Sequence, residues 1–87
     1  MADVLVRLYN AAEGAMADMK SINAQADMKI GNAAAETFNA LLKEVKKALP
    51  VPLIQTMTDL NDQDPFLALS LRLRVLTTEL GSVAFRD

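Results

Sequence analysis

The stretch DPFLALSLRLRVLTTELG at residues 64–81 carries two hydrophobic periods at once, and whichever is real fixes the fold class. Across residues 67–75 every second residue is Leu or Val, the alternation of a half-buried strand. Phe66, Leu69, Leu73, Leu76 and Leu80 also recur at the three- and four-residue steps of a helix. The flanks decide between them. Asp64 is a good N-cap, Pro65 suits a first helical position where its missing N–H is not needed, and Gly81 offers a C-terminal stop. Leucine dominates the interior, and only Val75, Thr77 and Thr78 are β-branched. A strand would also need a partner, and the nearby candidate is residues 82–86, as a terminal hairpin. The expectation is a helix over residues 65–80.

On a helix, at about 100° per residue, the alternation acquires a physical meaning. Phe66, Leu69, Leu73, Leu76 and Leu80 form one stripe. Leu67, Leu71 and Val75, with Ala68 beside them, form a second stripe on nearly the opposite side. Two narrow polar strips separate them, Arg72 with Glu79 and Ser70 with Arg74 and Thr77. A helix on the outside of a bundle normally shows one apolar stripe and one polar face. Burying Leu67, Leu71 and Val75 would stabilise by about 1.5–3 kcal/mol each, and leaving them wet makes a patch that soluble monomers rarely show. One face is therefore expected on the chain's own hairpin and the other on a second subunit, a two-fold homodimer being the default. The competing arrangement is a monomer in which the first helix, or the tail at residues 83–85, covers the second stripe.

Upstream, Leu5, Leu8, Ala12, Ala15, Met19, Ile22 and Ala26 follow heptad-like steps. They predict a first helix over about residues 4–30, capped by Asp3 and stopped by Gly31, with a weaker stripe beyond Ser21 where it is prone to break. Gly14 inside it lowers helix propensity by about 1 kcal/mol relative to Ala. The small residues around it (Ala11, Ala12, Ala15, Ala17) suggest close approach of another helix. With Asn32 as N-cap, Ala34, Phe38, Leu41, Leu42, Val45, Ala48 and Leu49 predict a second helix over about 33–49. Lys43, Lys46 and Lys47 near its end complement the helix dipole. Pro50 and Pro52 terminate it, and Leu53, Ile54, Met57 and Leu60 suggest a short helix over about 53–60. The whole of residues 1–87 reads as one helical domain, too short for two.

Several chemistries are excluded by composition. With neither Cys nor His there are no disulfides, thiolate or imidazole metal sites, Cys nucleophiles or imidazole acid–base pairs. The Asp-rich turn at residues 59–64 fails as a calcium loop: counted from Asp59, position 6 is Asp64 where Gly is needed, and position 12 is Ser70 where Glu is needed. The three glycines are isolated, so no phosphate loop exists, and Ser21 beside Lys20 does not face it on a helix. No cofactor or metal is expected. A net charge of −2, with nine scattered Lys and Arg, argues against nucleic-acid binding. Charges interrupt every apolar run well short of about 18 residues, so no integral membrane span is expected, and the chain reads as cytoplasmic.

The chain is thus expected to be all-α, a small helical bundle built on a helical hairpin plus a two-faced C-terminal helix, associated as a dimer. Its expected function is non-enzymatic, a protein–protein interaction or oligomerisation module. The 52% hydrophobic content fits surface hidden by a partner, although Ala contributes much of it. The expected interface residues are Leu67, Leu71 and Val75 of the last helix with Ala12, Ala15 and Met19 of the first. Met16, Met19, Met28 and Met57 read as core filler before they read as an adaptable groove. The alternatives are a small dimeric helical enzyme that binds an anionic substrate through Arg7, Lys20 or Lys29, and a peripheral lipid binder using the exposed stripe.

Overall fold

Helix is the period that the structure adopts at the C-terminal end. The computed structural model describes residues 2–22 and 25–85. It contains α1 (Ala2–Ser21), α2 (Gly31–Ala48), α3 (Pro52–Gln55) and α4 (Phe66–Ala84), so the fold is all-α, with no strand among the described residues. α4 packs most extensively against α1. The two run antiparallel: Gly81 and Phe85 meet Tyr9, Thr77 Oγ1 lies 4.0 Å from Met16 Sδ, and the Leu67 N–H reaches the Ala26 carbonyl just beyond α1.

The core forms from one stripe of each long helix. Phe66, Leu69, Leu73, Leu76 and Leu80 of α4 are all buried, the stripe that the helical period selects. They join Ala35, Phe38, Leu42 and Val45 of α2 and Ala12 of α1. The connection from α2 to α4 adds Leu49, Ile54 and Leu60. Two amide side chains pin that connection. Asn39 of α2 donates to the Leu60 carbonyl and accepts from the Leu60 N–H, both at 2.8 Å. Gln55 Nε2 donates to the Lys46 and Leu49 carbonyls at the end of α2, groups that a helix terminus leaves without intrahelical partners.

Helix boundaries differ from expectation, each for a physical reason. α1 ends at Ser21 and not near residue 30; Ile22 donates the last helical bond, to Asp18. Ser21 and Asp27 favour turns and water over a helix interior, and no strong apolar stripe holds this segment down. Asp3 lies in the first turn, inside the helix. Gly31 opens α2 at φ 82°, a conformation that glycine adopts freely, so Asn32 sits within α2 and is not its cap. α3 is a single turn that begins on Pro52, shorter than the expected 53–60 helix. Asp64 does not cap α4; its carboxylate accepts from the Asn61 N–H at 2.8 Å, and Pro65 is the residue preceding the helix.

The start of α4 is satisfied instead by a distant piece of chain. Phe66 and Leu67 donate to the Met28 and Ala26 carbonyls at 2.8 and 3.0 Å, while Ile30 and Gly31 donate to Asp64 and Asp62 carbonyls at 2.9 and 3.1 Å. An antiparallel bridge between Lys29 and Pro65 joins the two connections. Two orphan donors of a helix N-terminus thereby find backbone acceptors. Gly81 is no stop either, since α4 continues to Ala84. A Cβ at Gly81 would sit 3.1 Å from the Tyr9 ring, so the glycine lets α1 approach. Phe85 then closes edge-on against Tyr9 at 5.0 Å between centroids. Residues 82–84 are helical, not a strand, and Arg86 of the proposed terminal hairpin lies outside the described residues.

Candidate interaction surfaces

Among the described residues, Val4, Met28, Leu53 and Phe85 stand exposed elsewhere, while two apolar surfaces lie on opposite sides of α4. The outer surface is the second stripe. Leu67 and Leu71, one helical turn apart, are 51% and 54% exposed. Val75 departs from the expected stripe: it is half-buried and packs against the chain's own core. Arg74, exposed, lies within about 60° of Leu71 on the helix and is the only charged residue of α4 so placed. Arg72 is held elsewhere, donating to Thr58 Oγ1 at 2.9 Å.

The second surface is a groove of about 400 Å³ between the three long helices. Ala11, Ala15, Asp18 and Met19 of α1 form one wall, with Ile22 at its end. Ala33, Ala34, Thr37 and Leu41 of α2 form the other. Phe38, Leu69 and Leu73 lie at the bottom, with Ile30 and Phe66 at one end. The wall residues are short, so α1 and α2 leave a gap above the buried side chains. Ile22, 66% exposed, stands at the groove's end without cover. Asp18 is the only charged residue among those lining it.

The residues expected at an interface are thus divided. Leu67 and Leu71 face outward. Ala15 and Met19 are half-buried groove residues. Ala12 is fully buried in the chain's own core, with no surface left for a partner, because α1 turns it toward the buried stripes of α2 and α4. Close helix approach at Gly14 is not found either: a Cβ there would meet nothing within 4 Å. The groove was missed in the sequence, where Ala11 and Ala15 signal close packing and not a gap.

The basic residues considered for an anionic substrate do not meet at a cavity. Arg7, Lys20 and Lys29 are all exposed, and none lines the groove. A shallower depression beside Asn39, Lys43, Lys46 and Asp59 carries both signs of charge and presents no basic face to an anion. The side chains of Asn61 and Asp64 are engaged in the turn itself, Asn61 Oδ1 accepting from the Gln63 N–H at 2.8 Å. The Tyr9 phenol is pushed above its ordinary value, chiefly by its hydrogen bond to Glu13 and then by that residue's negative charge. It meets Phe85 edge-on, toward the opposite end of α1 from Ile22. Among the described residues no helix is long and apolar enough to cross a membrane. No protein-family model matches the chain, and no curated protein and no solved structure is significantly similar to it.

Proposed function

We propose that this chain is a protein-interaction or oligomerisation module that works through the outer stripe of α4. The observation that carries the reading is the exposure of Leu67 and Leu71 on a well-packed helix whose opposite face is entirely buried. Two leucines aligned at i and i+4 on a rigid helix form the kind of anchor pair that enters a groove on a protein partner. Their positions are fixed by the inner stripe, so little ordering is needed on binding. Catalysis has no support of this kind, because the exposed basic residues do not converge on a cavity.

The test is sedimentation velocity on the full chain and on Leu71→Glu, with circular dichroism to show that both fold. The wild type is expected to associate at micromolar to hundred-micromolar concentration, and Leu71→Glu to sediment as a monomer. A wild-type complex that survives Leu71→Glu removes the stripe from the interface. A lipid-binding role is the competing use of the same stripe; it predicts co-sedimentation with vesicles while the chain itself stays monomeric.

A further inference from the structure

Resting on the reading that the outer stripe docks on protein, we propose that the docking surface is the groove of a second copy, so that chains join head to tail. Phe66, Leu69 and Leu73, which line the groove, project from α4 about 180° away from Leu71. Stripe and groove therefore look in opposite directions, and a stripe seated in a neighbour's groove leaves one of each free. Such a contact is heterologous and closes only as a ring; otherwise it grows as a filament.

Size and charge fit this occupant. The groove's α1 wall runs between residues 11 and 22, about 16 Å at 1.5 Å per residue. Leu67, Leu71 and Arg74 of an incoming α4 need only about 10 Å of it, and the alanine walls leave room for their side chains. The one charge lining the groove is Asp18 and the one charge on the stripe is Arg74, opposite in sign. Neither has an ion-pair partner among the described residues.

Complementation between two defective variants tests the arrangement. Leu71→Glu spoils the stripe and keeps the groove; Thr37→Arg, at an exposed wall position, spoils the groove and keeps the stripe. Each alone is expected to sediment as a monomer, and an equimolar mixture as a 1:1 dimer and nothing larger, since both free ends of that dimer are blocked. The paired charge exchange Asp18→Arg with Arg74→Asp in one chain is expected to restore association that either single change weakens tenfold or more. A mixture that stays monomeric, when Leu71→Glu alone has dissolved the wild-type assembly, overturns the head-to-tail contact and leaves the stripe reading standing. A wild-type assembly that ignores Leu71→Glu, or a wild type that stays monomeric, overturns both.

Discussion

The two faces of α4 are built from the same residue type and meet opposite fates. Leu69, Leu73, Leu76 and Leu80 lie against α1, α2 and the connection between α2 and α4, at no more than 5% exposure. Leu67 and Leu71, on the other side of the same helix, keep more than half of their surface in water. The inner leucines define the monomer, because their neighbours come from every long helix. The outer leucines bury only about half of their surface in it. A helix carrying both faces commits one to its own fold and leaves the other open to water.

Substitutions on the two faces should separate those roles. The largest effect is expected on the inner face, where Leu76→Ala should destabilise the monomer by about 2–5 kcal/mol through lost burial and a residual cavity. Leu71→Ala should leave the monomer within about 0.5 kcal/mol of wild type, and similar losses at both positions in urea unfolding would erase the distinction between the faces. Asn39→Ala asks whether the inner face depends on the connection that covers it. It leaves the Leu60 N–H and carbonyl without their partner, and a loss of about 1–3 kcal/mol is expected in the same assay. Gly31→Ala probes the clasp at the start of α2, where φ is 82°; a loss of about 1–2 kcal/mol is expected, and an unchanged midpoint would mean the turn relaxes. The smallest effect is a gain. Gly14→Ala should stabilise the monomer by about 0.5–1 kcal/mol, since its Cβ meets nothing, and a loss would reveal a contact on that side of α1.

How much of this was legible in the sequence follows the range of the forces involved. The inner stripe of α4 and the burial of Phe38, Leu42 and Val45 were readable, because helical periodicity is local and strong. Helix ends were not. The start of α4 is capped by the Ala26 and Met28 carbonyls, about forty positions away in the chain, and α4 passes Gly81 because Tyr9 packs there. The stripe at Leu67 and Leu71 was visible as a surplus of apolar positions, though Val75 turned out to be shared with the core. The groove was invisible, because whether facing alanines draw two helices together or leave a gap depends on what lies beneath them. Here Phe38, Leu69 and Leu73 lie beneath the gap.

The claim that α4 carries a second, intermolecular face is tested most directly by the thermal unfolding midpoint as a function of protein concentration. Association that favours the folded chain makes that midpoint concentration-dependent. Across a roughly hundredfold range above the dissociation constant, the wild-type midpoint is expected to rise by about 5–10 °C for a chain of this size. The Leu71→Glu midpoint should stay flat across the same range. A wild-type midpoint that does not move with concentration, or a Leu71→Glu midpoint that moves as much, would contradict it.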